Sequence, residues 1–435
     1  MKKTIWMITC LLMAITAMAA DKSIKVEVTN TYCKSRKAVP VVVSLKDYAT
    51  SADSSVVSAL VTLDGKELPC QLDDLDDDGL FDELSFVTDM KKREKQTFTV
   101  VFSYMGAPRE YPATCYGAIA IRDRAAKNQK HMPINSITFP KTSNPYQYIF
   151  PHGAVMENDI VGFRAYCDHR QSIDYYGHQQ LKADIAETAF YPTEEQKAAG
   201  AGDDVLWTGS TPGCGTMHAW DAKKGWIIMY ENVRNTTMEV VASGAVRTVL
   251  RITNRAWQPL EGFKPVDVVT TYLLYKGHRD VQVDVKFSHP VDGLPLAIGT
   301  VDIADPKGAE EHSDCKGLRA CWGTAWAGNN PKVYGQHTVG LAVNIPEQYY
   351  KGETRFSDTD KKEMIGAYDE NARKLIMPNQ ALVDIVGTDG DHLNYWFAVT
   401  CDLESFGFMD SKAWFDYLDE WKKELASPAV IEIRE

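Results

Sequence analysis

The chain has 435 residues, of which 44% are hydrophobic and 24% are charged, and these values are ordinary for a globular protein. Its formal net charge of -12 argues against a nucleic-acid partner, because such a partner requires a basic surface. The charge does not exclude local basic pockets for acidic sugars. The length predicts two domains, or one large β domain and a small one.

The first twenty residues have the pattern of a signal peptide. Lys2 and Lys3 form the charged start, and the apolar run 5–15 is too short to span a bilayer. The small residues at 17–19 (Ala-Met-Ala) fit a cleavage site. We therefore predict that residues 1–20 are removed and that the protein is exported, either periplasmic or secreted. No later run is long enough for a membrane span.

Residues 21–107 predict a small N-terminal β-sandwich. Ile24, Val26 and Val28 alternate with polar residues, as in a half-buried strand. The pair Asp64-Gly65 separates two strand-like runs and favours the type I′ turn of a hairpin. The Gly- and Pro-containing segment 106–112 is the best linker candidate. Residues 108–435 would then form the second, larger domain.

An acidic loop, DDLDDDGLFDEL, follows this hairpin. Oxygen ligands at alternate positions, with a glycine for the tight turn, are what a Ca²⁺ loop needs. The last position of an EF-hand loop is Ser85 here instead of Glu. The sequence predicts a structural Ca²⁺ site, and the alternative is a solvated acidic turn. The predicted metal ligands are Asp74, Asp76, Asp78 and Asp82.

The rest of the chain is dominated by long antiparallel strands. Segments 266–275 and 281–287 form a clear hairpin pattern, and such series favour a large two-sheet sandwich. Thr193 with Gln196 predicts a capped helix, and apolar residues at helical spacing after Asp410 predict a C-terminal helix. The Gly-rich segment 208–216 lacks the ending of a phosphate loop, so no organic cofactor is expected.

The stretch 150–178 concentrates acid, base and cationic side chains. From residue 160 to 168 it alternates, with Phe163 and Ala165 on one side and Arg164, Tyr166 and Asp168 on the other. We predict a half-buried strand whose polar face opens onto a ligand.

These residue types fit two reactions on sugars. Glycoside hydrolysis needs two carboxyl groups, one protonated and one ionised. The carboxylates that the sequence offers for this pair are Glu157, Asp168, Asp174, Asp203 and Asp204. A lyase instead neutralises a uronate carboxylate and removes the α-proton with a Tyr or His. The candidate catalytic residues are His152, Glu157, Tyr166, Asp174 and His218.

Substrate binding would use guanidinium groups for carboxylates and aromatic rings for sugar faces. Each candidate also has a structural interpretation: Arg164 could form a cross-strand ion pair with Asp168, and Asp203-Asp204 could cap a turn. The candidate binding residues are Arg164, Arg170, Tyr175, Trp207, Arg247 and Trp396.

The acidic loop and the segments HGAVMENDIVGFRAYCDHRQSIDYYGH, YPTEEQ, GDDVLWTGSTPGCGTMHAW and SGAVRTVLRI resemble DUF4861, a family of exported bacterial proteins of unknown function. The resemblance covers nearly the whole mature chain and implies an association with systems that degrade pectin and other uronate-bearing polysaccharides. It assigns no catalytic residue. SGAVRTVLRI and the strand pattern are also similar to galactose-mutarotase-like supersandwiches, a fold that hosts lyases, hydrolases and epimerases.

Together these features predict an exported carbohydrate-active protein with an all-β fold. We expect a glycoside hydrolase or polysaccharide lyase acting on acidic oligosaccharides such as pectin fragments. The alternative is a non-catalytic glycan-binding protein of a polysaccharide-utilisation system. The expected partner is an oligosaccharide or polysaccharide, and no oligomeric state follows from the sequence.

Overall fold

The computed structural model describes residues 21–48, 55–123, 131–359 and 364–434. The predicted signal peptide, residues 1–20, lies outside these ranges. Within them, no helix combines the length and apolar character required to cross a membrane. The first strands are β1 (Lys22–Thr29), β2 (Arg36–Ser44), β3 (Ser58–Leu63), β4 (Lys66–Leu68), β5 (Cys70–Asp73), β6 (Glu83–Met90) and β7 (Lys95–Ser103).

The remaining elements are again mostly strands. They are β8 (Tyr116–Ile121), β9 (Met132–Ile134), β10 (Ser136–Pro140), β11 (Ile149–Glu157), β12 (Val161–Tyr166), β13 (Ile173–Gly177), α1 (Ile185–Thr188), α2 (Glu194–Ala198), β14 (Asp203–Asp204), β15 (Met217–Asp221), β16 (Trp226–Ile228), β17 (Asn235–Ser243), β18 (Arg247–Trp257), β19 (Val266–Tyr275), β20 (Asp280–Phe287), β21 (Leu296–Val301), β22 (Glu310–Ser313), β23 (Leu318–Trp326), β24 (Gln336–Asn344), β25 (Tyr350–Ser357), β26 (Tyr368–Asp369), β27 (Lys374–Leu375), β28 (Gln380–Val386), β29 (His392–Cys401), α3 (Ser411–Leu425) and β30 (Val430–Arg434).

The N-terminal sandwich packs the sheet β30-β1-β7-β3-β4 against the sheet β2-β6-β5. Ile24, Val26 and Val28 are buried in its core, as their alternation predicts. The predicted hairpin is β3 paired with β4, and its turn residues Asp64 (φ 51°) and Gly65 (φ 76°) adopt the left-handed backbone of a type I′ turn.

The last strand of the chain joins this first sandwich. β30 pairs antiparallel with β1, with Val28 opposite Ile431. The division at residue 107 stays a prediction, but the C-terminal strand lies beside the N-terminal sheet and not in the larger sandwich. Local sequence patterns carry no information about a partner strand some 400 residues away.

The larger sandwich has a nine-stranded sheet, β10-β17-β18-β19-β20-β29-β24-β23-β22. A six-stranded sheet (β14-β13-β12-β11-β8-β9) and a five-stranded sheet (β16-β15-β21-β28-β25) share one apolar core with it. The rings of Phe163 on β12 and Phe397 on β29 meet edge to face, 5.3 Å apart. The predicted all-β fold is confirmed.

Helix α3 covers the other face of the nine-stranded sheet. Trp414, Leu418 and Trp421 pack with Ala342 of β24 and Ala398 of β29. The helix begins where predicted, because the Asp410 side chain accepts a hydrogen bond from the backbone N–H of Ala413 at 2.8 Å. The strands β24 and β29 of this sheet are therefore covered on both faces.

The two sandwiches meet through arginines of β18. Arg247 donates from Nε to Asp73 Oδ2 at 2.7 Å and from Nη2 to Glu83 Oε2 at 2.6 Å. Arg251 donates to the carbonyl of Leu75 at 2.8 Å. The predicted role of Arg247 in substrate binding is not compatible with this position, because its charge is already used in the contact between the sandwiches.

A helical segment crosses the outer face of the six-stranded sheet. We call residues 178–202, which include α1 and α2, the cover segment. Its side chains Ile185 and Phe190 pack on Val155 and Tyr176. As a result β12 is buried on both faces. The prediction of a half-buried strand was wrong, because the alternation of Phe163 and its neighbours identifies two different faces but not what covers them.

Candidate functional site

Arg164 forms the centre of a buried polar cluster under the cover segment. The register of β12 and β13 places it opposite Asp174, and the two side chains form a short ion pair. A second carboxylate, that of Asp204 on β14, lies 3.4 Å from the same nitrogen, Nη2. All three side chains are buried. β13 pairs with both β12 and β14, and this pairing brings the three residues together.

Tyrosine hydroxyls also accept hydrogen bonds from the guanidinium of Arg164, whose Nε atom is buried without a partner among the described residues. Arg164 donates from Nη2 to the Tyr166 hydroxyl at 2.7 Å and from Nη1 to the Tyr191 hydroxyl at 2.5 Å. The Tyr166 hydroxyl donates to Asp174 Oδ2 at 3.1 Å. The ring of Phe190 lies 4.1 Å from the guanidinium carbon, and this contact covers it from the outer side.

The cluster has one cation and two carboxyl groups, so full ionisation would leave a buried negative charge. Burial, and next the carboxylate of Asp174, raise the pKa of Asp204 well above its usual value, although Arg164 opposes the shift. Oδ1 of Asp204 is buried and has no hydrogen-bond partner among the described residues. A proton on Asp204 would balance the charge, and the pair would then present one neutral acid beside the carboxylate of Asp174, which Arg164 holds.

A column of rings and guanidinium groups runs outward from this cluster. The Tyr166 ring lies 4.5 Å from the guanidinium carbons of both Arg164 and Arg170. It stacks at 5.9 Å on Tyr146, which stacks at 4.2 Å on His152. Tyr146, His152 and Arg170 are partly exposed. They therefore form a rim between the buried cluster and solvent.

Two features of this rim bear on proton transfer. The His152 Nδ1 atom hydrogen-bonds the carbonyl of Tyr146 at 2.7 Å, so Nδ1 carries the hydrogen in the neutral ring and Nε2 is a free acceptor. Burial lowers the pKa of His152. Burial also raises the pKa of the Tyr166 hydroxyl well above its usual value, which makes Tyr166 a poor base.

Some of the strained backbone of the chain lies around the cluster. Four residues other than glycine have positive φ values here: His152 (70°), Gln171 (49°), Ala189 (52°) and Phe190 (71°). A positive φ is rare for a bulky residue such as Phe190. Backbone strain of this kind persists where surrounding contacts enforce it, and it gathers at functional sites.

A cavity of about 160 Å³ lies beside the rim. Phe139 and Tyr230 give it an apolar lining, while Asn144, Asp168 and Glu231 supply polar groups. Asp168 pairs with Arg170 at 2.8 Å, and not with Arg164 as the alternative interpretation held. Asp168 therefore links the cavity to the column of rings and guanidinium groups.

Glu157 anchors the cover segment. Its carboxylate accepts the backbone N–H of Asp184 at 2.7 Å and of Ile185 at 3.0 Å, and it hydrogen-bonds the His178 ring at 2.8 Å. Ligand-type atoms of Glu157, His178 and Asp184 lie within 4.8 Å of one another. The Glu157 oxygens are already occupied by N–H donors, so this group fixes the cover segment and does not face the rim.

Two other predicted site residues lie behind the cluster. His218 is fully buried, hydrogen-bonds the carbonyl of Arg170 at 2.8 Å, and has its pKa lowered to about 4 by burial. Tyr175 faces the core, where its hydroxyl donates a short hydrogen bond to Glu404. His218 supports the backbone of Arg170, and Tyr175 is not available to a substrate.

The two predicted tryptophans are in different places. Trp396 packs beneath α3, on the face of the nine-stranded sheet that does not meet the six-stranded one, so it is not part of the cluster. Trp207 follows Asp204 by three residues and lines a small apolar cavity with Leu206 and Trp326. Trp207 therefore lies near the cluster, whereas Trp396 lies away from it.

The acidic loop brings three of its predicted ligands together. Ligand-type oxygens of Asp74, Asp76 and Asp78 lie within 4.8 Å of one another. Asp82 instead accepts the backbone N–H of Leu75 at 2.6 Å. Burial, and next the carboxylates of Asp78 and Asp82, raise the pKa of Asp76. The loop borders a cavity of about 480 Å³ that reaches the large sandwich.

Four aromatic residues of the site were not identified from the sequence. They lie in the short 3-10 helix Pro145–Gln147, on a loop or on the cover segment, where no periodic pattern marks them. The motif YPTEEQ, which begins at Tyr191, was the one available signal. Burial raises the pKa of the Tyr334 hydroxyl; next in size, Asp204 raises this pKa further and Arg164 lowers it. The missed residues are Tyr146, Phe190, Tyr191 and Tyr334.

Comparisons with known proteins give the following matches. A family model described as a domain of unknown function, DUF4861, matches residues 28–431. No curated protein matches the chain by sequence. Solved structures similar to it include an alpha-mannosidase from Enterococcus faecalis V583 (9% identity, TM-score 0.44, 95% of this chain and 46% of that chain). Another is a protein in the glycosyl hydrolase family 38 from Enterococcus faecalis (10% identity, TM-score 0.43, 95% of this chain and 47% of that chain). The chain spans about half the length of these two proteins.

Proposed function

Because the chain belongs to the DUF4861 family, whose function is not assigned, we propose its function from the geometry of the Arg164 cluster. We propose that it is an exported carbohydrate-active enzyme that acts on acidic oligosaccharides such as pectin fragments. The observation that carries this proposal is the pair Asp174 and Asp204, which share one buried guanidinium beneath a rim of aromatic side chains.

The carboxyl pair supports glycoside hydrolysis first. Hydrolysis requires one protonated and one ionised carboxyl group beside the scissile bond. The raised pKa of Asp204 makes it the proton donor to the leaving oxygen, and Asp174, held by Arg164, supplies the negative charge. Partly exposed rings such as those of Tyr146 and Tyr334 offer faces on which a sugar can stack.

Access to the carboxyl pair requires the cover segment to move. Phe190 and Tyr191 lie over Arg164, and both belong to this segment. Glu157 holds the segment near Asp184, so the strained residues Ala189 and Phe190 are the part that can shift while the anchor stays in place. Displacement of Tyr191 would open the path from the rim to Asp204.

Elimination is a second candidate, and His152 supports it. Its Nε2 atom is a free acceptor on a partly exposed ring whose pKa is lowered by burial, which suits a general base at neutral pH. A lyase would use this nitrogen to remove the α-proton of a uronate residue. The two reactions share the substrate class but differ in the residue that transfers the proton.

One assay distinguishes these candidates. The mature protein is incubated with a panel of pectic and neutral oligosaccharides, and reducing ends and the ultraviolet absorbance of unsaturated products are both measured. New reducing ends without absorbance, lost in Asp204→Asn, indicate hydrolysis. Absorbance that is lost in His152→Ala indicates elimination. Binding of an oligosaccharide without either product would refute the proposal that the protein is an enzyme and would favour a non-catalytic glycan-binding protein.

We also propose that the acidic loop holds a structural Ca²⁺ ion. The convergence of Asp74, Asp76 and Asp78 supports this, because hard carboxylate oxygens at alternate positions are the ligands Ca²⁺ prefers. The ion would stiffen the loop next to Arg251, whose guanidinium holds the carbonyl of Leu75. Its role would be to stabilise the contact between the sandwiches.

A further inference from the structure

The three arginines around the rim differ in their charge partners. Arg164 pairs with Asp174, and Arg170 pairs with Asp168. In the part of the chain that the structure describes, Arg122 forms no ion pair, and its Nε atom is buried without a hydrogen-bond partner. Of the three, Arg122 is therefore the one whose charge remains for a ligand.

Packing fixes the position of Arg122. The residue directly follows β8, and its backbone N–H donates to the carbonyl of Tyr148 at 2.7 Å. Its guanidinium carbon lies 5.2 Å from the centre of the Phe150 ring. His131 stacks on the same ring at 3.9 Å. A guanidinium held on a ring face keeps its N–H groups directed outward in the plane of the fork.

Arg122 is connected to the cluster through aromatic contacts. The Phe150 ring meets the Tyr191 ring edge to face at 6.0 Å, and the Tyr191 hydroxyl accepts from Arg164. Arg122 and Arg164 also both lower the pKa of His152, after the larger effect of burial. The unpaired charge thus lies next to the proposed catalytic groups, at the same rim.

The local charge contrasts with that of the whole chain. The formal net charge is -12, yet Asp168 and Asp174 are paired with Arg170 and Arg164, and burial raises the pKa of Asp204 well above its usual value. Arg122 is partly exposed and forms no ion pair within the described residues, although Asp123 follows it directly and opposes its effect on the pKa of His131. Such a site attracts anions and rejects neutral groups that cannot pair with it.

We propose that Arg122 recognises the carboxylate of a uronate residue in the substrate and so determines the specificity of the site for acidic sugars. This inference rests on the proposed function, which it refines by naming the recognition residue. The planar fork of a guanidinium pairs with a carboxylate through two parallel hydrogen bonds. The carboxylate lies beside Phe150, and the sugar chain continues toward the rim at Tyr146 and His152.

The test compares an acidic ligand with a neutral ligand of the same skeleton. Affinities for trigalacturonate and for its methyl ester are measured by calorimetry on the wild-type protein and on Arg122→Gln. We expect Arg122→Gln to weaken trigalacturonate binding roughly tenfold to a hundredfold, as the loss of charge-assisted hydrogen bonds implies, and to leave binding of the ester unchanged. Arg122→Lys should restore part of the affinity.

The matched control is Arg93→Gln, an exposed arginine in a turn of the N-terminal sandwich, which should bind both ligands like the wild type. The proposal is overturned if Arg122→Gln binds trigalacturonate normally, if it loses both ligands equally, or if the wild type does not prefer the acid to the ester. In each of these cases the product assay with Asp204→Asn still decides independently whether the protein is an enzyme.

Discussion

Arg164 on β12 and Asp174 on β13 stand opposite each other in an antiparallel register and form an ion pair that is closed off from solvent. A buried ion pair contributes little net stability, because removing two charges from water costs about as much as their attraction returns. Adding a second carboxyl group, Asp204, makes the arrangement less favourable still. A cluster that does not serve stability points to a functional use, which the following variants test.

Asp204→Asn should strongly reduce turnover while preserving the fold. Burial raises the pKa of Asp204 well above its usual value and so favours the protonated side chain, which asparagine resembles in shape and charge. Loss of the proton donor should lower the turnover rate by roughly a hundredfold or more. Turnover and melting temperature are measured on the same preparations.

The matched control for this variant is Asp203→Asn. Asp203 is the adjacent residue, but its carboxylate pairs with Lys197 at 2.6 Å away from Arg164. We expect Asp203→Asn to retain turnover close to that of the wild type. Equal activity of wild type and Asp204→Asn would contradict the assignment of Asp204 as the acid.

The sequence predicts part of this cluster and not the rest. The alternation along β12 places Arg164 and Tyr166 on one face of the strand. Asp174 on β13 is expected beside them, because strands that are close in sequence usually pair as a hairpin. Tyr191 and Asp204 reach the same guanidinium through a later loop and a two-residue strand, which have no pattern of their own. Tertiary packing, and not a local pattern, therefore determines that Tyr191 and Asp204 contact Arg164.

The same limit of local sequence patterns explains why two predicted binding residues, Arg247 and Trp396, lie away from the cluster. Alternation correctly separates the two faces of β18 and β29, but it cannot tell a solvent face from one covered by another layer. Arg247 faces the N-terminal sandwich, and Trp396 faces α3. Both residues therefore lie in contacts between layers of the fold and not on a surface open to substrate. Hairpins and the terminal helix were predictable, because turn residues and caps are local signals.

Asp384 on β28 should make stability depend on pH. The side chain is fully buried, neither carboxylate oxygen has a hydrogen-bond partner among the described residues, and Arg319 lies 3.6 Å away. Burial raises the pKa of Asp384 from 3.8 to about 7. A raised acid pKa stabilises the fold at low pH, and this contribution is lost as pH rises from the unfolded to the folded value.

Asp384→Asn should therefore be more stable than the wild type at pH 8 and similar to it at pH 4. Linkage gives an upper difference on the order of 4 kcal/mol. Denaturant unfolding at a series of pH values measures it, and Asp389→Asn, an exposed site, is the control. A constant difference between variant and wild type across this range would show that Asp384 does not titrate in it.

Removal of Ca²⁺ should destabilise the protein if the acidic loop holds the ion. Ligand binding to the native state adds about 2.7 kcal/mol at a hundredfold excess over the dissociation constant, so a chelator should lower the melting temperature. Asp76→Asn should abolish this response, because the Asp76 carboxylate belongs to the converging group. Asp64→Asn, in the neighbouring hairpin turn, should keep it. An unchanged melting temperature with chelator would exclude the ion.

Arg247→Ala should destabilise the junction between the sandwiches more than any surface arginine variant. Arg247 is 1% exposed and pairs with both Asp73 and Glu83. Burial raises the pKa of Asp73, and Arg247 is the main group that opposes this shift. Removing the cation leaves a buried carboxylate without its partner, which costs about 3–5 kcal/mol.

Denaturant unfolding compares this variant with Arg251→Ala on the same strand. Arg251 is only half-buried; it forms a 3.3 Å ion pair with Glu239 and donates to the Leu75 carbonyl at 2.8 Å, so its loss should cost about 1–2 kcal/mol, less than the loss of Arg247. Adding Asp73→Asn to Arg247→Ala should recover part of the lost stability, because the unpaired charge is then gone. If the double variant is no more stable than Arg247→Ala, the cost comes from lost packing and not from the charge of Asp73.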